Sequence, residues 1–470
     1  MQEETIVALA TPPGEGAVGM IRLSGGQAVP IADRVFRSLH GKGKLEKAPS
    51  HRLLHGVAVD PLTGRVLDEV LVAVARGPRS YTGEDVVEFF CHGGLVVLGE
   101  VLAALREAGA RPAGPGEFTL RAFLNGRMDL SQAEAVVDVV RARSAEALQC
   151  AVGGLLGALG GRVRELAERL VGTLAHLEAS LDFPDEEVPP VTGADVAEEL
   201  RTVQAGVRAL LAGAGRGRLY REGLRAVLVG RPNVGKSSLL NALVGRERAI
   251  VTGVPGTTRD VIEESVVLQG VPVCLVDTAG LRVARDLVEE EGIRRAREAA
   301  RGASVAVLVV DGSEPLQEED RVAAECVRGQ AAVVAVNKAD RRPAVTDGEA
   351  RELLPGRAVV RLSAKTGEGL PALEEAILAA GRTAVAGEGG GTAGWEGRQD
   401  ALVTRARHEE ALRRAEREIG AALSEVRREA GEELVAARVR RALHALGEIT
   451  GESVDDDVLR AVFATFCIGK

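Results

Sequence analysis

The stretch VLVGRPNVGKSSLLNALVG (227–245) decides how this 470-residue chain is read. An apolar run, Ala226–Val229, meets Gly230, and Gly230 to Ser237 match GxxxxGK[ST] ahead of a helical pattern over Ser238–Val244. A strand that turns through glycines into a helix lets backbone N–H groups wrap phosphate oxygens, and the helix adds its positive end. Asn233, Val234, Gly235 and Ser238 belong to that cradle, Lys236 is expected to reach the β- and γ-phosphates, and Ser237 to bind Mg²⁺. The competing reading is a Gly-rich strand-to-helix turn with no ligand, so context has to decide.

The context is present. Asp277-Thr278-Ala279-Gly280 follows the apolar run Val273–Val276, so Asp277 can hold Mg²⁺ through water and the Gly280 N–H can sense a γ-phosphate. Asn337-Lys338-Ala339-Asp340 follows Ala332–Val336. The Asp340 carboxylate can accept from guanine N1–H and the N2 amine, a donor pair that adenine lacks, so GTP is expected over ATP. Ser363-Ala364-Lys365 follows Val359–Leu362 and closes the base pocket. These elements resemble those of the translation-factor-related GTPases, with Gly256-Thr257-Thr258-Arg259-Asp260 as the first switch and Thr258 as second Mg²⁺ ligand. Where many such proteins carry a water-orienting Gln, this chain has Leu281, and no arginine finger is evident in the same chain. Another group must position the water. Asn233 has a side-chain carbonyl suited to a monovalent cation, with carbonyls of Thr252–Thr257 to complete the shell. As a residue type beside Pro232, Asn233 also fits a plain turn.

Outward from this block, alternating strands and helices over 216–385 predict a parallel sheet covered by helices. Residues 1–120 read as α+β, with strands at Ile6–Ala10, Val18–Leu23, Val70–Ala75 and Val86–Phe90. Residues 121–215 read as helical. Ser131-Gln-Ala-Glu134 has capping-box spacing, and Val152 to Leu181 repeat at three and four residues, with breaks expected at Gly153-Gly154 and Gly160-Gly161. DFPDEEVPP (182–190) ends that helix. Residues 386–470 read as a Gly-rich linker and then helices whose core positions include Leu402, Leu412, Ile419, Leu423, Val426, Leu434, Leu443 and Leu446. Helical texture on both sides makes the α/β block an insertion. The fold class is therefore multidomain α/β: an N-terminal α+β domain, a helical domain and an inserted P-loop GTPase domain.

Composition narrows the class. The chain has 59 Lys+Arg against 68 Asp+Glu, a net charge of −9, and 2% aromatic residues, which argues against a nonspecific basic nucleic-acid binder. No apolar stretch approaches the ~20 residues of a membrane span, and the acidic start, MQEETIVALA, has no basic segment leading an apolar one, so no secretory signal is expected. Five scattered cysteines without a CxxC pair point to a reducing, cytoplasmic setting and away from zinc. Of the basic residues 52 are Arg and only 7 Lys, and there are four Asn, so the excess of Arg is no argument for RNA contact. The rare residues are more telling: Lys236, Lys338, Lys365 and Lys470 each sit in a short motif.

Beyond the α/β block, three segments carry a closer resemblance: ATPPGEGAVGMIRLSG (10–25), YTGEDVVEFFCHGG (81–94) with PGEFTLRAFLNGRMDLSQAEAV (115–136), and the final FCIGK (466–470). With NVGKSSLLNALVGRERAIVTGVPGTTRD, DTAGLR, NKAD and SAKTGEGL, they make the chain similar, over residues 5–470, to the potassium-activated tRNA modification GTPases of the MnmE (TrmE) family. The resemblance implies an N-terminal domain that dimerises and binds a 5,10-methylene- or 5-formyl-tetrahydrofolate, a helical domain and the inserted GTPase domain. It implies a homodimer that joins an FAD-dependent partner subunit in a heterotetramer. That complex adds an aminomethyl or carboxymethylaminomethyl group at C5 of the wobble uridine of certain tRNAs.

Carried over by position, the folate contacts fall on Arg22, Glu88, Arg127 and Lys470. Arg127 departs from a frequent Lys, which keeps the charge but changes reach. The potassium ligands fall on Asn233, Thr252, Val254 and Thr257, and the nucleotide loop continues through Gly253 and Pro255. Water positioning falls on Glu289, whose neighbours Glu290 and Glu291 form with it an acidic run that would by itself be a solvated helix start. Cys467, three residues from the last, is a buried filler on residue type and a group near the folate site by resemblance. His92 is a base or a structural residue. The competing function is a regulatory or ribosome-assembly GTPase without modifying activity; the N-terminal segments and FCIGK separate the two, since a pure switch has no need of them.

Overall fold

The computed structural model describes residues 4–40, 44–182, 192–246, 262–277, 297–386, 401–429 and 431–470. They form two units, the first of residues up to Val137 with Thr450–Lys470 and the second of Asp138–Ile449.

In the first unit, β1 (Ile6–Leu9), β2 (Gly16–Ser24), β3 (Phe36–Ser38), β4 (Arg52–Val59), β5 (Val66–Ala75), β6 (Val86–Gly93) and β7 (Arg111–Pro112) form one sheet in the order β3-β4-β5-β6-β2-β1-β7. Neighbours are antiparallel except β1 and β7. Side chains alternate across a strand. Ile21, Leu23, Val70, Val72, Val74, Val87 and Phe89 are buried in one core with the helices Ala28–Val35 and Leu95–Glu107. Arg22, Glu88 and Ala73 fall on the opposite parity and are direct cross-strand neighbours. The short β3 and the His- and Gly-containing β4 carry too little apolar periodicity to be read from sequence.

Helix Leu130–Arg141 starts two residues earlier than its Ser131–Glu134 spacing suggests. Asp129 is the cap: its Oδ1 accepts from the Gln132 N–H at 2.9 Å, and its own N–H donates to Gln132 Oε1 at 3.0 Å. Asp129 is one position ahead of the helix and Gln132 is its third residue, which is the spacing a reciprocal cap needs. The closing segment holds to the same unit. Helix Asp456–Phe463 buries Phe463, whose ring lies 5.3 Å from Phe466 and 6.5 Å from Phe123. Ile468 then bridges to Pro115, and Gly469, at φ 96°, lies where a Cβ would come within 2.3 Å of the Leu9 carbonyl oxygen.

In the second unit, helices Ala158–Asp182, Gly193–Ala212, Ala406–Arg427 and Glu432–Thr450 enclose a core of Leu166, Leu170, Leu200, Val203, Leu412, Ile419 and Leu446. The long periodic run is broken at neither glycine pair. Helix Ala145–Leu155 stops at Leu156-Gly157, between the pairs, because Gly157 adopts φ 86°. Leu434 is 57% exposed; Val435, beside it, is buried and takes the core position.

Between the helices Gly193–Ala212 and Ala406–Arg427 the chain leaves to build the α/β block. Its strands are β8 (Leu224–Val229), β9 (Ile262–Leu268), β10 (Val271–Asp277), β11 (Val305–Asp311), β12 (Ala332–Asn337) and β13 (Ala358–Arg361), in the order β13-β12-β11-β8-β10-β9. Cores cover both faces. The sheet is not wholly parallel: β9 runs antiparallel to β10. The reason is the two-residue turn Gln269-Gly270 at φ 45° and 82°, positive at both positions as a tight hairpin requires. At the junction with the helices, Asp138 Oδ1 accepts from Arg221 Nε at 3.1 Å, just before β8, and from Arg405 at 2.9 Å, just after the return. No helix among the described residues is long and apolar enough to cross a membrane.

Candidate functional site

The parallel strands β8, β10, β11 and β12 bring their C-terminal ends to one edge, where ligands bind in open α/β sheets. After β8, Gly230 to Gly235 form a loop in which Asn233 and Gly235 take positive φ, 66° and 98°, and helix Lys236–Arg246 follows. At Gly235 a Cβ would lie 2.4 Å from Asn337 Nδ2, so the motif's glycine is demanded by a neighbour as well as by the backbone. Lys236 is buried and its Nζ donates to the carbonyls of Gly230 (2.7 Å) and Arg231 (2.9 Å). Burial, partly offset by the Asp277 charge, holds its pKa below the ordinary lysine value. The Ser237 hydroxyl donates to Asp277 Oδ2 at 2.7 Å, and Asp277 is 1% exposed. A buried carboxylate beside a hydroxyl, next to a phosphate cradle, is an oxygen donor set that suits Mg²⁺.

The base-reading elements meet the same loop. Asn337, at the end of β12, donates from Nδ2 to the Val234 carbonyl (2.8 Å) and accepts the Ala364 N–H at Oδ1 (3.0 Å). Lys338 Nζ donates to the Asn233 carbonyl (3.1 Å) and to Asp311 Oδ2 (2.5 Å). Asp340 is exposed, and the Ser363 hydroxyl at 2.6 Å is the main reason its carboxyl stays below the usual range. Lys365 lies exposed two residues on. The arrangement gathers Asn233–Ser238, Asp277, Asn337–Asp340 and Ser363–Lys365 at one edge and can take a purine nucleotide with its phosphates. Thr252, Gly253, Val254, Pro255, Gly256, Thr257 and Thr258, with Thr278, Ala279, Gly280 and Glu289, lie outside the described residues. Sequence reading missed Asp311, 3% exposed, whose signal was the Asp-Gly-Ser turn that closes a buried strand level with Asn337.

A second site lies in the first unit. Arg22 Nε donates to Glu88 Oε1 at 2.8 Å, and the Arg22 guanidinium lies 5.1 Å from the Tyr81 ring centre and 5.8 Å from that of Phe118. Tyr81 is fixed by a 2.8 Å bond between its hydroxyl and that of Thr119. Glu88, Tyr81, Ser80, Arg79, His51 and Arg127 border a cavity of about 440 Å³, and Arg127 donates to the Ser80 carbonyl at 3.0 Å. Arg22 and Glu88 are thus paired, and Glu88 and Arg127 border the same cavity. Cys467 and Lys470 are not among the lining residues described. Cys467 is exposed, its carbonyl accepts from the Gly116 and Lys470 N–H groups at 3.5 and 3.3 Å, and the tail lies along Pro115 and Leu9. Tyr81, Arg79 and His51 escaped sequence reading, although Tyr81 opens a segment that carried the resemblance. His92, exposed, pairs with Asp68 at 2.7 Å, and that hydrogen bond raises its pKa.

Comparison with known proteins adds to this geometry. Residues 5–127 match the family described as GTP-binding protein TrmE N-terminus, and residues 130–467 match the MnmE helical domain. Three proteins named tRNA modification GTPase MnmE align over nearly their full length. The one from Symbiobacterium thermophilum is 48% identical, covering 100% of both chains. That from Heliobacterium modesticaldum is 46% identical, again over 100% of both. That from Bacillus subtilis is 43% identical over 99% of this chain and 100% of its own. With matches that run through both units, this chain belongs to the MnmE family of tRNA modification GTPases.

Proposed function

We propose that this chain is the GTP-hydrolysing subunit of a cytoplasmic complex that adds an aminomethyl or carboxymethylaminomethyl group at C5 of the wobble uridine in certain tRNAs. The one-carbon unit comes from a 5,10-methylene- or 5-formyl-tetrahydrofolate, and the chain acts as a homodimer with an FAD-dependent partner subunit. The observation that carries the reading is that a phosphate-loop edge braced by Asn337 and a cavity bordered by Tyr81, Glu88 and Arg127, with Arg22 paired to Glu88, occur in one chain. A carboxylate suits the N–H edge of a pterin, and the guanidinium of Arg127 suits a glutamate tail.

At the nucleotide edge, Lys236 gives up the carbonyls of Gly230 and Arg231 for phosphate oxygens, so its charge is traded from one oxygen pair to another. Ser237 and Thr258 are the protein ligands assigned to Mg²⁺, which neutralises charge on the phosphates when bound, and Asp277 acts through water. Asp340, its carboxylate oriented by the Ser363 hydroxyl, accepts from guanine. Asn233, Thr252, Val254 and Thr257 are assigned to potassium. Glu289 orients the water; an ordinary Glu, with pKa near 4.3, is too weak a base at neutral pH to do more. Cys467 and Lys470 are assigned to the folate reading by their place in the closing FCIGK motif.

The test is nucleoside analysis of tRNA from cells with and without the protein, together with tetrahydrofolate binding to the purified chain and to Arg22→Ala and Glu88→Gln. Loss of the modified wobble uridine without the protein, and weaker folate binding in both variants, are expected. Unchanged wobble uridines would sink the reading.

A further inference from the structure

We propose that Asp311 is a positioning residue for the potassium response: through Lys338 it holds the Asn233 carbonyl, and with it the left-handed step in the phosphate loop. The inference rests on the reading that Asn233 takes part in potassium binding.

The argument is one of geometry. Asp311 closes β11 and is 3% exposed. Its Oδ1 accepts from the Ser313 hydroxyl (2.7 Å) and the Ser313 N–H (2.9 Å), which fixes the carboxylate plane. Its Oδ2 then faces Lys338 Nζ at 2.5 Å, and that ammonium donates its next hydrogen bond to the Asn233 carbonyl at 3.1 Å. The bond joins two residues that both sit at positive φ, Asn233 at 66° and Lys338 at 65°. Asn tolerates that backbone state better than most residues, whereas a lysine adopts it rarely and is held there by its neighbours. A lysine here, 23% exposed, would otherwise be drawn to water, since an ammonium is strongly hydrated. The buried carboxylate opposes that pull. Burial disfavours the charged form of Asp311, but the bonds from Lys338 and Ser313 outweigh it and hold the carboxyl below its ordinary pKa. The chain Ser313–Asp311–Lys338–Asn233 therefore ties the base-reading loop to the residue assigned to the cation.

If Asn233 is held this way, loosening it makes the cation pay for ordering the loop. The cost shows as weaker apparent potassium affinity that more potassium restores. Asp311→Asn keeps the side-chain shape and an oxygen for Ser313 but removes the charge that steers Lys338. GTPase rates of the full chain are measured across a KCl series at constant ionic strength, with wild type, Asp311→Asn and Ser313→Ala side by side. The expected result is a rise of about fivefold or more in the KCl needed for half-maximal stimulation in Asp311→Asn. Ser313→Ala, which leaves the charge and the backbone N–H but removes the hydroxyl donor to the carboxylate, should move the same way by about twofold. At saturating KCl, kcat in both variants should return to within about twofold of wild type. An unchanged potassium dependence in Asp311→Asn overturns the inference. So does a rate loss that no KCl concentration recovers and that follows a lowered melting temperature, which is the mark of a merely structural residue. Equal wild-type rates in KCl and NaCl overturn the potassium reading itself and the inference with it.

Discussion

Asn337→Asp offers the sharpest test of how the nucleotide edge is held together, because it changes almost no volume. Asn337 is 2% exposed; Nδ2 donates to the Val234 carbonyl at 2.8 Å, and Oδ1 accepts the Ala364 N–H at 3.0 Å. A position for a Cβ on Gly235 lies only 2.4 Å from that Nδ2, so the space is already filled by the amide. The substitution keeps the bond to Ala364 and turns the other donor into an acceptor that faces a carbonyl. About 1 kcal/mol is lost with the bond and about 2 kcal/mol with two buried oxygens left unpaired against each other, for a total of about 3 kcal/mol. If the bridge serves to hold the phosphate loop against the base-reading loops, that sum appears in nucleotide affinity, as a loss of roughly 100-fold. The assay is titration with a fluorescent GDP analogue near neutral pH, with far-ultraviolet circular dichroism and melting temperature as controls for folding. An affinity within about threefold of wild type, with folding intact, would refute the reasoning.

Two further outcomes follow from burial and charge. Val435→Ala should destabilise the helical core by about 2 kcal/mol in urea unfolding, whereas Leu434→Ala, at a site 57% exposed, should cost less than about 0.5 kcal/mol; the reverse ranking would show that the helix presents its other face. Burial holds the Lys236 pKa below 10.5, so its charge is lost earlier as pH rises. kcat/KM for GTP, which reports the free enzyme, should therefore fall along an alkaline limb centred below that value, and a limb at or above it would contradict the assignment.

What the sequence made legible is what short segments determine by themselves. The phosphate loop, the two residues that reach back to it and the Ser363 turn each lie in a few consecutive residues after an apolar strand, so their order revealed the block. Features set by partners elsewhere were not readable. β9 (Ile262–Leu268) contains two adjacent glutamates and becomes a strand because the Gln269-Gly270 turn folds it onto β10. Leu434 and Val435 both satisfy a helical repeat at their end of the helix, and only the packed core separates them. Helix interruption at Gly157 rather than at the paired glycines depends on which backbone takes positive φ, which residue type alone leaves open. The cavity in the first unit needed strand register: Arg22 meets Glu88 because β2 and β6 pair there, across 66 residues of chain.

The scarcity of lysine has a physical basis at the two sites where it matters most. In a chain with 52 Arg, substitution of Lys by Arg would be the easy drift, yet Lys236 and Lys338 remain. Each places its ammonium between two oxygens: Lys236 between the Gly230 and Arg231 carbonyls, Lys338 between the Asn233 carbonyl and Asp311. A point charge with rotatable donors can satisfy two oxygens from different directions, and Lys236 can exchange them for a phosphate. A guanidinium is planar, larger and presents its donors in a fixed fork. The exposed Lys44 and Lys47 are under no such geometric demand. A rare residue type is informative here where its surroundings admit no common substitute, and an ammonium held between two oxygens is the feature that Lys236 and Lys338 share.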